Sequence, residues 1–369
     1  MVRTLNRYML VMLLSAWLLV LPSYAKEYKI AVAGMVHSHV WSHLKEMLTN
    51  HDAKLVGVAD NDAELRAEAK KRGVPEALIF TDYATMIERT KPDIVWSFVE
   101  SNRHLEIAQY CAPRKIHVMF EKPLASSFAD ALAIEQLAEK NGIQVMVNYQ
   151  MAWWPTNYAA KAVADSGKLG QVWRLRGIVG HGGPSDKGIS KHSFQWFTDP
   201  DKGGGALTDF LCYNALWSLW YLGKPEKVYA QVNHLQPERF PRVEDNSTMV
   251  LSYKTGVGLF EGSWDLPRTF QDLEVFGRDG SVTMTQQNVQ QQIGRKGKPE
   301  DVPLPTLSPE RAAPIAYMVH MLETGKPLDD LVALPINVNV VEIIEAARMS
   351  AASGQAVHLP LPRPSTGDK

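Results

Sequence analysis

The sequence predicts an α/β protein in which a doubly wound parallel sheet is followed by an α+β domain with a large, mostly antiparallel open sheet. From Tyr28 to Tyr149, short β-branched runs alternate with helical patterns, as in parallel βαβ units. From Met151 onward, strand-like runs follow one another with short turns and few helices between them. The chain has 369 residues, of which 45% are hydrophobic, so it is long enough for two domains with separate cores.

The first domain is expected to contain five parallel strands joined by helices. A helix is predicted from Ser127 to Asn141, because Ser127 with Asp130 resembles a capping box and Gly142 supplies the stop. Its apolar residues recur on one face. The predicted strands are YKIAVAG, KLVGVAD, DIVWSFV, HVMFEKP and QVMVNY.

The second domain is expected to begin with a long strand, followed by the triple glycine Gly203 to Gly205 and a helix. The segment from Glu310 to Ser353 is helical in pattern and could pack on either domain. The Pro-rich end, 359–369, is expected to be disordered. The predicted strands are QVWRLRGIV, KVYAQVNHL, STMVLSY, VGLFEGSW and DLEVFG.

The ends of the first two strands carry the marks of a dinucleotide site. Gly34 follows the first strand at the phosphate-loop position, and Asp60 follows the second. Asp60 is placed to hydrogen-bond a ribose 2′-hydroxyl and would repel the 2′-phosphate of NADP, so the predicted cofactor is NAD. The loop departs from the usual fingerprint, because Val36 and His39 stand where glycines are expected. A purely structural turn is the alternative reading.

Three polar residues are candidates for catalysis. Lys122 follows the apolar strand HVMF, at the sheet edge where ligands bind in open α/β sheets. Asp209 and Tyr213 are four residues apart, so they share one face of the helix that follows the triple glycine. Seen alone, that helix would suggest a capping Asp and a packed Tyr. The combination with Lys122 favours a site.

The chain resembles the glucose-fructose oxidoreductase, inositol dehydrogenase and MocA family over essentially its whole mature length. The resemblance rests on "EKPLA" after the fifth strand, "SNRH" in the preceding corner, Asp60 after the second strand, and "GGGALTDFLCY" in the second half. It implies a Rossmann domain that holds NAD(P) and a C-terminal domain whose open sheet often mediates oligomerisation, so a homo-oligomer is expected. It also implies a carbohydrate substrate.

The resemblance assigns roles to the three candidates. Lys122 matches the family's lysine that hydrogen-bonds the reacting hydroxyl and helps to position the nicotinamide, and Asp209 matches the aspartate of the catalytic helix. The family's base is usually a histidine four residues later, where this chain has Tyr213. A free Tyr, with a pKa of about 10, is a poor base. The hypothesis is an acid–base pair of Lys122 and Tyr213, oriented by Asp209, in which the cation favours phenolate while Asp209 acts against it.

The cofactor and the substrate have further candidate contacts. Asn102 and His104 match the family's Asn-x-x-His-like corner imperfectly. The residues expected at the cofactor are Gly34, Val36, His37, Ser38, His39, Asp60, Asn102, His104, Glu121, Lys122 and Pro123. Aromatic rings cover apolar sugar faces and basic side chains reach hydroxyls, although two adjacent tryptophans before a proline are also ordinary hinge packing. The candidate sugar contacts are Trp153, Trp154, His181, Lys191 and His192.

Composition excludes some partners and sets expectations for others. The formal net charge is −1 and no Lys/Arg cluster with interleaved aromatics appears, so the chain is not expected to bind nucleic acid. Cys111 and Cys212 lie in different predicted domains, which favours two buried free thiols. His37, His39 and His43 are close in sequence, but no nearby carboxylate completes a metal-ligand set, so no metal site is predicted.

The N-terminus predicts export. Arg3 and Arg7 precede the apolar run YMLVMLLSAWLLVLP, and the small residues Ser23 and Ala25 have the spacing of a cleavage site. This pattern indicates a Sec-type signal peptide over 1–25, cleaved near Ala25, and a periplasmic or secreted protein without a stable membrane anchor. A permanent anchor is the alternative, although the run is short for a span. The predicted domains are then 26–150 and 151–358.

Three functional hypotheses follow. The first is an NAD-dependent oxidoreductase that converts a secondary hydroxyl of a sugar or glycoside to a ketone. The second is redox-neutral cleavage, in which transient oxidation acidifies a neighbouring C–H and permits elimination of the glycosidic oxygen. The third is a sugar-binding paralogue on the same scaffold without catalysis. Because free NAD is expected to be scarce outside the inner membrane, an exported enzyme would need to hold its cofactor tightly.

Overall fold

The computed structural model describes residues 26–184 and 190–363. The predicted signal peptide, 1–25, therefore lies outside the described residues. Within the described ranges, no helix combines the length and the apolar composition needed to cross a bilayer.

The first domain is a six-stranded parallel sheet in the order β3-β2-β1-β4-β5-β6, so the predicted doubly wound sheet is confirmed. This order reverses direction between β1 and β4, which is where open α/β sheets form their ligand crevice. The sequence patterns missed β3, which is only two residues long and half-buried. The strands are β1 (Tyr28–Ala33), β2 (Ala53–Ala59), β3 (Ile79–Phe80), β4 (Ile94–Ser97), β5 (His117–Glu121) and β6 (Val145–Asn148).

Helices connect these strands, and their ends follow the sequence signals. The helix predicted from Ser127 is present: the Ser127 hydroxyl accepts the Asp130 amide at 3.1 Å, and Gly142 ends the helix with a positive φ of 62°. The helices of this domain are α1 (Val40–Met47), α2 (Ala63–Lys71), α3 (Tyr83–Thr90), α4 (His104–Cys111) and α5 (Phe128–Asn141).

The second domain is built on a nine-stranded sheet in the order β14-β13-β12-β11-β7-β10-β9-β8-β15. All neighbouring strands are antiparallel except β7 and β10, which confirms a mostly antiparallel sheet. The sequence patterns missed the last four strands. The strands are β7 (Val172–Gly180), β8 (Lys227–Asn233), β9 (Asn246–Tyr253), β10 (Gly256–Ser263), β11 (Phe270–Gly277), β12 (Gly280–Met284), β13 (Val289–Ile293), β14 (Glu300–Asp301) and β15 (Val357–His358).

One face of this sheet is covered by helices, and residues such as Arg176, Tyr229 and Glu261 are exposed on its strands. The covering helix α8 follows the triple glycine as predicted and contacts β7, β9 and β10, while α10 contacts β8. Helix α10 also contacts α5 of the first domain. The helices are α6 (Pro155–Asp165), α7 (Lys191–Phe197), α8 (Ala206–Leu222), α9 (Pro314–Thr324) and α10 (Leu334–Ser353).

Two predictions about the rest of the chain have different outcomes. Cys111 and Cys212 are both buried and free, as expected. The first part of the Pro-rich end, for which disorder was predicted, contacts the second domain: the Leu359 amide donates to the Glu226 carbonyl at 2.9 Å, and the buried Leu361 donates its amide to the Glu342 carboxylate at 2.8 Å. Residues 364–369 of this predicted tail lie outside the described residues. Local composition did not show that the last strand would carry these residues back onto the sheet.

Candidate active site

Lys122 and Asp209 form a buried ion pair between the two domains. The Lys122 ammonium, at the end of β5, donates to Oδ1 of Asp209 and to the Asp209 main-chain carbonyl at 3.1 Å. The second carboxylate oxygen, Oδ2, accepts the indole N–H of Trp264 at 2.9 Å. The side chains of Lys122 and Asp209 are only 5% and 8% exposed. Both oxygens of Asp209 are therefore engaged before any ligand arrives.

Tyr213 completes the predicted trio, but its protonation differs from the hypothesis. The Lys122 nitrogen lies 5.2 Å from the centre of the Tyr213 ring, which packs edge-to-face on Tyr149 at 5.2 Å. Burial raises the pKa of Tyr213, and the opposing effect of Lys122 is too small to reverse this. Burial disfavours the ammonium of Lys122, yet Asp209 raises its pKa overall. The predicted phenolate is thus wrong, and both groups are hydrogen-bond donors at neutral pH.

A buried carboxylate lies beneath the loop after β1, close to the histidines for which the sequence analysis expected no carboxylate partner. Glu121, the last residue of β5, is 1% exposed, and its Oε2 lies 2.9 Å from Nδ1 of His39. Its Oε1 accepts the Asn148 amide at 2.7 Å and lies 3.9 Å from Nε2 of His43. Burial opposes its charge, but these partners hold its pKa below the ordinary value. Glu121 is therefore an ionised acceptor.

His37 lies beside the contact between Glu121 and His39, and its ring is neutral. Its Nδ1 accepts the His39 amide at 3.2 Å, and its ring packs against those of His39 and Trp196 at 4.2 and 5.1 Å. Burial lowers its pKa well below the ordinary value. Its Nε2 is buried and has no hydrogen-bond partner within the described ranges. Ligand atoms of His37, His39 and Glu121 lie within 4.8 Å of one another, which corrects the expectation that no carboxylate is near these histidines.

These groups line a cavity of about 300 Å³, here named cavity B. His181, beyond the end of β7, also faces it, and its Nδ1 accepts the Gly183 amide at 2.9 Å. Burial lowers the pKa of His181. The wall also includes the side-chain amides of Gln150 and Gln271, which the sequence analysis did not single out because nothing in their local sequence distinguishes them. The lining residues include His37, Ser38, His39, Lys122, Gln150, His181, Phe197, Asp209, Phe210, Tyr213 and Gln271.

A second cavity of about 280 Å³, cavity A, lies at the carboxyl ends of β1 and β2. Gly34 has a φ of +78°, and a Cβ there would lie 2.9 Å from the Val99 amide nitrogen, so only glycine fits. Asp60 lines the cavity, but its carboxylate already accepts the Met35 and Asp62 amides at 2.6 and 2.8 Å. Burial raises its pKa. Asp60 therefore anchors the loop after β1 and also lines the cavity in which the ribose is predicted to bind.

The residues around cavity A fit a dinucleotide. The cavity occupies the topological switch point of the sheet, begins at the glycine turn and ends at the acidic residue after β2. Arg103 and Lys202 also line it, paired with Glu106 and Glu100 at 3.0 and 3.3 Å. Gly34, Val36 and Asp60 would hold the adenosine side, and Lys122 with the loop histidines faces the neighbouring cavity B.

Several predicted contacts lie elsewhere. His104 is a core residue, 1% exposed, with Nδ1 3.0 Å from the Leu124 carbonyl and its ring stacked on Phe120. Asn102 is exposed, and its amide donates to the Asp201 carbonyl at 3.4 Å. The prediction that these two residues contact the cofactor is not supported, because neither lines cavity A or B. Pro123 is buried at the strand end.

Of the five candidate sugar contacts, one lines cavity B and four lie elsewhere. Only His181 faces cavity B. His192 lines cavity A, with Nε2 3.6 Å from Asp62, and Lys191 lines neither cavity. The Trp153 indole donates to Asn148 at 2.8 Å, and Trp154 packs half-buried against the core. The two tryptophans thus make the hinge packing that was the alternative reading.

The fold and the paired cavities define a dinucleotide-dependent oxidoreductase. Residues 28–149 match the oxidoreductase family with an NAD-binding Rossmann fold, and residues 158–283 match the GFO/IDH/MocA C-terminal domain. The chain belongs to the GFO/IDH/MocA family of oxidoreductases, and its first domain is an NAD-binding Rossmann domain. The family resemblance inferred from the sequence is confirmed.

Relatives and solved structures agree with this assignment. A D-xylose 1-dehydrogenase (NADP(+)) from Haloferax volcanii is 26% identical over 84% of this chain and 93% of its own length. A scyllo-inositol 2-dehydrogenase (NADP(+)) from Bacillus subtilis is 22% identical over 80% and 86%. The structure of an aldose-aldose oxidoreductase from Caulobacter crescentus complexed with glycerol has a TM-score of 0.75 at 22% identity, covering 90% of this chain and 100% of that one. A levoglucosan dehydrogenase in complex with NADH and levoglucosan also has a TM-score of 0.75, at 20% identity over 91% and 100%.

Proposed function

We propose that this protein is an NAD-dependent oxidoreductase that converts a secondary hydroxyl of a sugar or glycoside to a ketone. The observation that carries the proposal is the position of Lys122. Its ammonium lines cavity B, beside cavity A of the Rossmann domain, and contacts Asp209 in the first turn of α8 in the second domain. Nicotinamide and substrate sites must meet at such a point for direct transfer between them.

The polar wall of cavity B suits a polyhydroxylated substrate. Lys122 and Tyr213 are donors, Gln150 and Gln271 offer both donors and acceptors, and His181 adds an imidazole. Aromatic rings of Phe197 and Phe210 provide apolar surface on the same wall, which suits the C–H faces of a sugar ring. The relatives that act on xylose, inositol and levoglucosan support this substrate class by their names.

The chain's own residues would stabilise the changing charge on the reacting oxygen. The Lys122 ammonium is held in place by Asp209, so it can donate a hydrogen bond to an oxygen that loses its proton. The Tyr213 phenol, which stays protonated, can donate a second. When bound, the nicotinamide supplies the two-electron oxidant. Asp209 acts as a positioning residue, because both of its oxygens are already engaged.

The proposal is tested in two steps. The purified protein is denatured and the supernatant is analysed for NAD, and a panel of aldoses, inositols and glycosides is then incubated with protein and NAD. Formation of reduced nicotinamide with a keto-sugar is the expected result. If the protein releases no NAD on denaturation and also fails to bind added NAD, the proposal is contradicted. Release of aglycone without net reduction of NAD would indicate the redox-neutral alternative.

We also propose that the protein is exported and forms homo-oligomers. Export is supported by the signal-peptide pattern in 1–25, and assembly by the exposed strand residues of the nine-stranded sheet. Cell fractionation with N-terminal sequencing of the mature protein tests the first. Size-exclusion chromatography with light scattering tests the second, and a monomeric mass would contradict it.

A further inference from the structure

The predicted proton acceptor of the reaction is missing, because none of the trio can take a proton easily. Lys122 is an ammonium, Tyr213 is a neutral phenol, and both oxygens of Asp209 accept hydrogen bonds. Oxidation of a hydroxyl needs a group that accepts its proton. The other ionisable residues of cavity B are therefore the remaining candidates for the acceptor.

The three histidines of cavity B differ in which ring nitrogen carries hydrogen. Nδ1 of His37 accepts the His39 amide, and Nδ1 of His181 accepts the Gly183 amide. A backbone N–H can only donate, so these two neutral rings carry their hydrogen on Nε2 and present donors. His39 has the opposite arrangement. Its Nδ1 lies 2.9 Å from the ionised Glu121, which can only accept, so this nitrogen carries the hydrogen.

In the neutral form of His39 the lone pair is on Nε2, the nitrogen that faces away from Glu121. Nε2 of His39 makes no hydrogen bond with any residue that the structure describes, and the side chain is 24% exposed in the wall of cavity B. Glu121 is itself fixed by the Asn148 amide at 2.7 Å. A carboxylate that orients an imidazole with its free nitrogen toward a cleft is the arrangement of a general base.

We propose that His39, oriented by Glu121, is the general base of the reaction. This inference rests on the proposed oxidation of a sugar hydroxyl by NAD. The substrate O–H bond breaks and its proton forms a bond with Nε2 of His39. The electron pair of the broken O–H bond becomes the second C–O bond of the ketone. The hydrogen on the carbon that bears this oxygen leaves with its electron pair to NAD. The imidazolium that results is stabilised by the Glu121 carboxylate, and it later returns its proton to water.

Other charged groups surround His39 and must be considered in a pH profile. Glu121 of β5 contacts Nδ1 of His39 and also lies 3.9 Å from His43 of α1, and His37 packs on the ring of His39. Lys122 and Asp209 form a neutral pair in the same wall, and they retain opposite charges across the neutral range. The titratable groups that line cavity B with His39 are His37, Lys122, His181, Asp209 and Tyr213, and Glu121 and His43 lie behind its wall.

The activity test compares His39→Gln and Glu121→Gln with wild type, after the wild type has been shown to reduce NAD with a sugar. Each variant is expected to lose about 10²- to 10⁴-fold in kcat while its NAD affinity is unchanged. The fall of kcat/KM at acidic pH should disappear in His39→Gln, and added imidazole should partly restore His39→Ala. His51→Gln, an exposed histidine of the same domain, is the matched control and should behave as wild type.

A second measurement keeps the inference separate from the proposed function. Nitrogen-15 NMR of histidine-labelled wild type reports the tautomers directly, whatever the substrate. Hydrogen on Nδ1 of His39 and on Nε2 of His37 and His181 is expected. The opposite tautomer of His39, or full turnover of His39→Gln with an unchanged pH profile, would overturn the inference. Loss of NAD affinity with unchanged kcat at saturation would also overturn it, since His39 would then serve the cofactor.

Discussion

Removing the charge of Asp209 should destabilise the protein strongly, because the change leaves an ammonium buried between two domains. In Asp209→Asn, Lys122 keeps only the main-chain carbonyl at 3.1 Å as a full partner. The asparagine offers one acceptor oxygen to two donors, the Lys122 ammonium and the Trp264 indole. In the wild type, that indole donates to Oδ2 of Asp209 at 2.9 Å. Breaking one side of a buried ion pair costs about 3–5 kcal/mol, a large share of a typical unfolding free energy of about 5–15 kcal/mol.

The pH range for this test follows from the two pKa shifts. Asp209 has a lowered pKa, so its contribution is present above the unfolded value of about 3.9 and is lost as pH falls through the folded value. Lys122 has a raised pKa, so its contribution is present below the unfolded value of about 10.4 and is lost as pH rises through the folded value. Both contributions are complete at neutral pH, where the comparison should be made.

Urea unfolding followed by tryptophan fluorescence measures the effect. With an m-value of about 3 kcal/mol/M, the midpoint of Asp209→Asn should fall by about 1 M or more. Asp201→Asn is the control, since this side chain is 83% exposed in its pair with Arg242 and should change the unfolding free energy by less than about 1 kcal/mol. Adding Lys122→Met to Asp209→Asn should restore part of the loss. A stability of Asp209→Asn within about 1 kcal/mol of wild type would refute the reasoning.

Three further outcomes are expected. Tyr213→Phe should lower kcat by about 10²-fold or more through loss of a donor, with NAD occupancy intact by released-cofactor assay, and full turnover would remove Tyr213 from the reaction. Gly34→Ala should weaken NAD binding in calorimetry and lower the urea midpoint of unfolding more than Gly325→Ala, and equal effects would contradict this. Both glycines have a positive φ, but an added Cβ would meet Val99 at Gly34 and no atom within 4 Å at Gly325. Burial holds the pKa of His104 at about 4, so as pH falls from about 6.5 toward that value the unfolded state binds a proton first and the free energy of unfolding decreases. In urea melts, His104→Phe should lose less stability over that pH interval than wild type, and identical pH slopes would contradict the assignment.

The sequence predicted the parts of the site that depend on topology. A lysine at the end of a parallel strand and an aspartate in the first turn of the next domain's helix meet because both lie at the sheet edge where the domains join. The glycine turn at Gly34 and the acid at Asp60 follow from the same geometry. These placements require only the order of strands and helices, which hydrophobic periodicity reveals.

Other features depend on burial and on distant pairs, which a single sequence does not display. The phenolate predicted for Tyr213 was wrong because the desolvation cost depends on the packing of Tyr149 and its neighbours. The pair of His39 with Glu121 joins residues far apart in the chain. His104 looked like a cofactor contact because the motif places it in the corner between β4 and α4, yet its ring packs in the core against Phe120.

Helix α10 belongs to the cores of both domains. It lies against α5 on one side and against α8 and β8 on the other, and its Arg348 donates to the Ser126 carbonyl of the first domain. Two domains joined by a simple linker usually swing apart. A shared helix opposes such swinging, so we expect NAD bound in cavity A to leave only when surface segments open locally. Slow exchange would suit the exported enzyme proposed above, for which a lost cofactor is not expected to be replaced.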